Sequence, residues 1–147
     1  VSSRGDYYDI PSKTFVIDSR TDEVTDELKL LPNSEMTVCG DSLYVYSTEW
    51  SYHTQSNTIS YAIVNVRTKK IVTRNFITDG TEKRIVIPYG VAVNPLTHEI
   101  FVTDAKDYVT PGTLYCFNSD GTKKWSVETG DIPAHIVFTR KKLLPIK

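Results

Sequence analysis

The chain has 147 residues, a formal net charge of -1 and 24% charged residues, as expected of one soluble domain with a sizeable core. The near-neutral charge gives no electrostatic footprint for nucleic acid or an anionic membrane, so neither partner is expected. No apolar run approaches the roughly eighteen residues that span a bilayer.

The first predicted strand pair lies at residues 12–30. The apolar run "TFVID" ends at Asp18 and is followed by a turn and by "TDEVTDELKLL", which starts at Thr21. This second run has a threonine cap and early acidic residues, which are helix signals. Its β-branched Val24 and Thr25, and its strand-like neighbours, favour a strand instead.

Two longer stretches repeat and extend this plan. The first is "LPNSEMTVCGDSLYVYSTE" (31–49) followed by "AIVNVRTKKIV" (62–72), and the second is "IPYGVAVNPLTHEIFVTDA" (87–105) followed by "LYCFNSDGTKKW" (114–125). The run "IPAHIVF" (132–138) begins the plan again. The chain therefore resembles itself, with apolar strands separated by short turns.

The turns of the repeat are marked by Asx residues. An apolar strand ends at Asp18, Asn65 or Asn118, and a charged, alternating strand follows each turn. Asx side chains and glycine favour such turns because they supply local hydrogen bonds and tolerate positive φ.

A period of roughly 40–50 residues with four short strands per unit is typical of a β-propeller blade. The predicted fold class is therefore all-β, with about two and a half blades in an incomplete ring. Apolar inner strands suit a sheet covered on both faces, and charged outer strands suit an exposed edge. The predicted units are the last two strands of a blade (12–30), a full blade (35–78), a second full blade (87–130) and the first strand of the next (133–138).

The blade count is smaller than a ring requires, because propellers have about four to eight blades. The sequence therefore predicts a fragment that begins inside a blade; the alternative is that several copies assemble into a ring. Uncapped repeats expose apolar faces, so we expect the chain to self-associate or to pair with the missing blades.

Three stretches that combine acidic and aromatic residues fall at the same place in the repeat. They are "GDYYDIPSK", "TEWSYHTQSN" and "DAKDYVTPG", and each is predicted to be the loop between the second and third strands of a blade. Meander topology brings these loops to one end, together with the connections between blades. Loops on a rigid scaffold commonly carry binding residues, and Tyr and Trp offer large amphipathic contact areas. The candidate ligand-binding residues are Tyr7, Tyr8, Trp50, Tyr52, His53, Lys83, Arg84, Tyr89, Asp107, Tyr108 and His135.

A structural role is the alternative for these residues. Tyrosines on such loops also pack over the strands beneath them, and Lys83 with Arg84 also reads as a solvated pair of charges. For His53 and His135, the interpretation as ordinary polar surface residues is favoured over ligand contact.

Catalytic motifs are missing from the sequence. It contains no Gly-rich phosphate loop, no nucleophile elbow and no zinc-type His/Cys spacing, so no catalytic residue, metal ligand or cofactor is predicted. The tripeptide "RGD" at 4–6 is a chance-level match. Asp104, Asp107 and Asn94 suggest calcium ligands, but the topology puts Asn94 at the opposite end, where a turn role is favoured.

Cys39 and Cys116 each lie in an apolar strand-like run. Buried free thiols are the favoured interpretation; a disulfide or a metal pair stays open but has no support from spacing.

The segments "PYGVAVNPLTHEIFVTDA", "GTLYCFNSDGTKKW" and "GDIPAH" resemble the repeats of YncE-like seven-bladed propellers. More narrowly, they are similar to surface propeller lipoproteins of Bacteroidetes, some of which capture cobalamin and pass it to an outer-membrane transporter. The resemblance implies a non-enzymatic binding protein, lipid-anchored at the cell surface or in the periplasm, with a corrinoid as the candidate ligand. The aromatic, mixed-charge loops would equally suit a glycan or a peptide.

Two other function classes stay open. A protein-interaction scaffold is a common use of repeat surfaces. A metal-dependent propeller lactonase or lyase would need a carboxylate/Asn cluster at the ring centre, which the sequence does not offer.

Overall fold

The computed structural model describes residues 1–3, 10, 12–28, 34–51 and 55–139. The all-β prediction is confirmed, because the described chain forms eleven strands in three antiparallel sheets and one 3-10 helix, Thr81–Arg84. No helix among these residues has the length and apolar character needed to cross a membrane.

Each sheet is a simple antiparallel meander. Sheet A contains β1 (Ser2–Ser3), β2 (Lys13–Asp18) and β3 (Glu23–Leu28). Sheet B contains β4 (Glu35–Cys39), β5 (Ser42–Ser51), β6 (Ser56–Asn65) and β7 (Lys70–Thr73). Sheet C contains β8 (Pro88–Val93), β9 (Ile100–Asp104), β10 (Thr113–Phe117) and β11 (Lys123–Glu128). The run with mixed helix and strand signals is thus strand β3.

The core consists of two layers of side chains on either face of sheet B. On one face, Leu43, Val45, Ala62 and Val64 are buried, and Leu28 of sheet A packs against them. The other face packs against sheet C through a larger cluster of buried residues: Tyr46, Tyr61, Phe76, Ile77, Ile85, Val91, Val93, Ile100, Val102, Tyr115 and Phe117. Alternate residues of the same strands thus serve both layers, as the two-residue period of a strand dictates.

The three sheets share an irregularity beside their last turn. Each last strand pair has a register shift, between Val16 and Ile17, between Ile63 and Val64, and between Cys116 and Phe117. The turns that follow use the Asx residues of the repeat; for example, Asn65 Oδ1 accepts hydrogen bonds from the backbone N–H groups of Arg67 and Thr68 at 3.0 and 2.8 Å. The internal repeat therefore extends to the bulges, which a sequence pattern does not show.

The segment 133–138 differs from its prediction as a strand. It lies across the far face of sheet C, where the Thr103 hydroxyl donates to the Pro133 carbonyl oxygen at 2.5 Å and the rings of Phe101 and Phe138 meet edge to face at 5.4 Å. It joins no strand ladder within the described residues. The first strand of a meander pairs with the second strand, which for this segment would come after residue 139. The sequence beyond residue 139 lies outside the described ranges.

The connection between sheets B and C differs as well. Because β7 has only four residues, the chain leaves sheet B early and passes through the core at Phe76 and Ile77. Thr78 N–H then donates to the Gly121 carbonyl in the turn before β11 at 3.0 Å. The full blade was predicted to run to residue 78, but β7 ends at Thr73, and residues 76–78 belong to the connection and reach the β10–β11 turn of sheet C.

The cysteine interpretation is partly confirmed. Both cysteines are free thiols, and Cys116 is fully buried, but Cys39 at the end of β4 is partly exposed.

Candidate functional site

The two ends of sheets B and C can be assigned from one contact between them. Cys39 Sγ, at the turn between β4 and β5, lies 3.6 Å from His98 Nδ1, in the turn between β8 and β9. The first turns of both sheets therefore meet at one end, here called the turn end. The ends of β5 and β9, and the start of β8, consequently lie at the opposite end, here called the loop end.

Asp104 organises the loop end. It is the last residue of β9, is only 1% exposed, and accepts three backbone hydrogen bonds. Its Oδ1 accepts from the N–H groups of Ile87 and Lys106, both at 2.9 Å, and its Oδ2 accepts from Val86 N–H at 3.2 Å. One carboxyl group therefore joins the segment that enters β8 to the segment that leaves β9.

Asp107 shapes the loop after β9. Its Oδ1 accepts from the N–H groups of Val109 and Thr110 at 3.0 and 2.7 Å and from the Thr110 hydroxyl at 2.9 Å. These hydrogen bonds stabilise the carboxylate and lower the pKa of Asp107 to about 2. Its side chain is thus occupied by its own loop, which makes Asp107 a positioning residue for Tyr108.

Tyr108 and Tyr89 form an aromatic pair at the loop end. Their ring centroids are 5.6 Å apart at 78°, an edge-to-face arrangement. Tyr108 has φ +66 and remains 45% exposed. The register shifts between Pro88 and Gly90, so Tyr89 occupies a bulge that directs its ring out of the ladder.

Trp50 is also exposed, but it lies on a strand rather than in the predicted loop. β5 runs to Ser51 and pairs with β6 down to Ser51↔Ser56, so "TEWS" is part of a long hairpin. Trp50 is 53% exposed near the tip of this hairpin. No ring contact joins Trp50 to Tyr89 or Tyr108 among the described residues.

Lys83 and Arg84 are both exposed on the 3-10 helix. The pKa of Tyr115 is raised, mainly by burial and to a smaller extent by the charge of Asp104. The charge of Arg84 lowers the same pKa. Arg84 therefore lies close enough to Tyr115 to act on its pKa, although the Arg84 side chain is exposed like that of Lys83.

Tyr61 and Glu82 are polar residues that the sequence analysis missed. The Tyr61 hydroxyl and Glu82 Oε2 are buried and have no hydrogen-bond partner within the described part of the chain. Burial raises the pKa of Tyr61, and the charges of Asp104 and Glu82 reinforce this shift. Tyr61 follows an ordinary apolar stripe in β6, so no sequence signal distinguishes it from the core residues around it.

His135 lies beside Glu35, the first residue of β4, and therefore at the loop end. Its Nδ1 is 3.8 Å from Glu35 Oε1, and its side chain is 86% exposed. Burial raises the pKa of Glu35, which also accepts a hydrogen bond from the Tyr46 hydroxyl at 3.2 Å. Tyr7, Tyr8, Tyr52 and His53 were also predicted site residues, and they lie outside the described ranges.

Asn94 has the turn role that the sequence favoured over calcium binding. Its Oδ1 accepts from the N–H groups of Leu96 and Thr97 at 2.9 and 3.3 Å, and its backbone bonds to Glu99 and His98. Across the described residues, no group of three or more His, Cys, Asp or Glu side chains is placed to hold a metal ion.

A cleft of about 250 Å³ lies at the turn end, and its lining contains none of the predicted site residues. It is formed by Asn94, Pro95, Leu96, Val137, Phe138 and Thr139. Leu96 and Val137 are 69% and 82% exposed, so its walls are open to solvent.

In comparisons with known proteins, no protein-family model matches this chain. No curated protein matches it either.

Proposed function

We propose that this chain is part of a β-propeller whose loop end binds a small molecule without converting it chemically. The observation that carries the proposal is the Tyr89–Tyr108 pair, with one ring placed by a bulge and the other by the Asp107 turn. An exposed aromatic ring held in a positive-φ conformation is costly for folding alone. A preorganised ring of this kind loses little entropy when a ligand stacks on it.

The propeller part of the proposal is supported by the stacking of the sheets. Three meanders lie in chain order, both faces of sheet B are covered, and β4 and β5 contact β8. The far face of sheet C carries the edge-to-face rings of Phe101, Trp125 and Phe138, on which the next blade would pack. Four-stranded meanders stacked face to face are the building units of propellers.

The ligand class follows from the resemblance and from the chemistry of the loop end. Exposed Trp50 and Tyr108 and the basic Arg84 suit a large, flat, amphipathic molecule with hydrogen-bonding groups. A corrinoid such as cobalamin is the first choice, and a glycan is the alternative. Under this proposal the protein acts at the surface or in the periplasm of a bacterium, lipid-anchored, and delivers its ligand to an outer-membrane transporter.

The test is equilibrium dialysis of the 147-residue chain against cyanocobalamin, with the corrinoid measured by its absorbance. We expect saturable binding that Tyr108→Ala weakens by about tenfold, since a stacked aromatic ring contributes on the order of 1 kcal/mol or more. Val109→Ala is the matched control, because Val109 is the next residue and is 76% exposed. Equal binding by both variants would remove Tyr108 from the site, and no saturable binding would show that the loop end of this chain does not bind a corrinoid. The same dialysis with a soluble oligosaccharide in place of cyanocobalamin tests the glycan alternative.

Protein interaction is the second candidate, and it is favoured by the apolar surface beside β11. Trp125 and Val127 are 41% and 51% exposed on this edge strand. Sedimentation of the chain distinguishes the two uses of this surface. Self-association that Trp125→Glu abolishes supports blade-to-blade packing. The scaffold function is supported if the chain is a monomer that captures a membrane protein from an outer-membrane extract and the Trp125→Glu variant does not capture it.

A further inference from the structure

A cysteine and a histidine from different sheets meet at the turn end. Cys39 is the last residue of β4, and its Sγ lies 3.6 Å from Nδ1 of His98 in the β8–β9 turn. This separation is within hydrogen-bonding range for sulfur. The thiol can therefore donate its proton to the imidazole, and an imidazolium can stabilise the thiolate that forms.

The position of His98 is set by its turn. His98 has φ +59, a left-handed conformation that non-glycine residues rarely adopt. Its N–H donates to the Asn94 carbonyl at 2.9 Å, and Asn94 Oδ1 holds the two preceding N–H groups of the turn. The imidazole is thus presented to Cys39 by a hydrogen-bonded loop from the neighbouring sheet. His98 is exposed and Cys39 is partly exposed, so a small reagent can reach the pair.

We propose that Cys39 is a covalent modification site that forms mixed disulfides with low-molecular-weight disulfides, with His98 as its base. The Cys39 thiol transfers its proton to His98 Nδ1, and the thiolate attacks one sulfur of the small disulfide. A bond forms between Cys39 Sγ and that sulfur, the original S–S bond breaks, and the second half leaves as a thiolate that takes the proton from the imidazolium. Cys39 is oxidised, and the released half of the reagent is reduced.

Cys116 is the natural control for this reaction. It is fully buried, and burial, followed by the charge of Glu99, raises the pKa of its thiol. A buried thiol in an apolar sheet is inert, because neither the thiolate nor the reagent is accessible. The proposal concerns the end of the sheets opposite to Tyr108 and does not depend on the proposed ligand-binding function.

The test uses glutathione disulfide as the reagent and mass spectrometry of the intact chain and its peptides. We expect one glutathione per chain, located on Cys39, and none in Cys39→Ser. His98→Asn should slow the reaction about tenfold, since less thiolate forms without a base. Asn tolerates the positive φ of residue 98, so the turn is preserved.

The direction in which the rate of Cys39 modification changes when His98 is replaced shows whether His98 is a base or only a packing residue. If His98 only supports the turn, its replacement loosens the site, and Cys39 reacts at an unchanged or higher rate, which overturns the proposal. The proposal is also overturned if, in the chain without substitutions, Cys116 is modified as fast as Cys39. A slower Cys39 with Cys116 still protected is the result that supports it.

Discussion

The β5–β6 hairpin and the β9–β10 connection join the same two strands of neighbouring sheets, yet they end in different ways. In sheet B the buried stripe Leu43–Val45 continues to Ser47, whose hydroxyl pairs with that of Ser60 at 2.7 Å. In sheet C the corresponding stripe Ile100–Val102 continues to Asp104, which binds three backbone N–H groups instead.

The consequence is a difference in length. In sheet B the ladder continues past the hydroxyl pair, and β5 and β6 reach ten residues each. The carboxyl group of Asp104 recruits loop backbone from both sides, so β9 and β10 stop after five residues each. Trp50 is thus displayed from a strand, whereas Tyr108 is displayed from a hydrogen-bonded loop.

The largest effect is expected from Asp104→Ala, which leaves three loop N–H groups without their acceptor. We expect the free energy of unfolding to fall by about 3 kcal/mol, because one buried and two partly buried N–H donors lose their acceptor. Ser47→Ala is the matched change in sheet B and should cost about 1 kcal/mol, since only one neutral hydrogen bond is lost. Urea denaturation of both variants measures the difference. An equal loss would contradict the different roles of the two residues.

A smaller effect is expected from Gly112→Ala, just before β10. An added Cβ would lie 2.6 Å from Pro133 Cδ and 2.7 Å from the Asp104 carbonyl oxygen. Overpacking of this kind should cost about 2 kcal/mol in the same denaturation experiment. Gly130→Ala is the control, since a Cβ there meets nothing within 4 Å. If both substitutions are neutral, the β9–β10 connection does not pack tightly against segment 133–138.

The hairpin should respond in the opposite direction. Gln55 has φ +50 next to β6, and Gln55→Gly should stabilise the chain by up to ~1 kcal/mol by relieving this conformation. Lys106 has φ +53, but its Nζ also donates to the Pro111 carbonyl oxygen at 2.6 Å. Lys106→Gly should therefore gain less. Thermal melting of the two variants side by side tests this order, and a larger gain at Lys106 would reverse it.

The smallest effect is on pH dependence. The pKa of Asp107 is about 2 in the folded chain, below the value of 3.8 for an unperturbed carboxyl group. A lowered pKa means that the loop hydrogen bonds stabilise the fold above about pH 3.8 and are lost as the pH falls through about 2. An NMR titration of the Asp107 carboxyl carbon should show this low midpoint, and Thr110→Val should raise it. A midpoint near 3.8 would show that the turn does not hold the carboxylate.

The strands and turns were predictable because they depend on local chemistry. Asx residues at Asn65 and Asn94 bond to the N–H groups two and three residues later, which sequence spacing alone indicates. The two-residue period likewise identified the buried stripes. The grouping of aromatic stretches at one position of the repeat also led to Tyr108 and Trp50.

The remaining features depend on pairing between distant residues. Tyr89 is displayed because the β8–β9 register shifts beside Pro88, and the sequence contains no mark of that shift. Asp104 looked like a metal ligand candidate because its true partners are backbone groups of Val86 and Ile87, which have no side-chain signature. His135 was grouped with the aromatic loops, and its neighbour in the fold is Glu35 at the start of β4, 100 residues earlier in the sequence, a pairing that has no sequence signal.

The register shift that recurs beside the last turn of every sheet also bears on solubility. β3, β7 and β11 are edge strands with no further partner within the described ranges, and open edges of this kind tend to recruit strands from other molecules. A bulge beside the turn increases the local twist, and the lysines at 70, 123 and 124 add charge to two of the edges. The outer edges should therefore resist the edge-to-edge stacking that leads to fibrils.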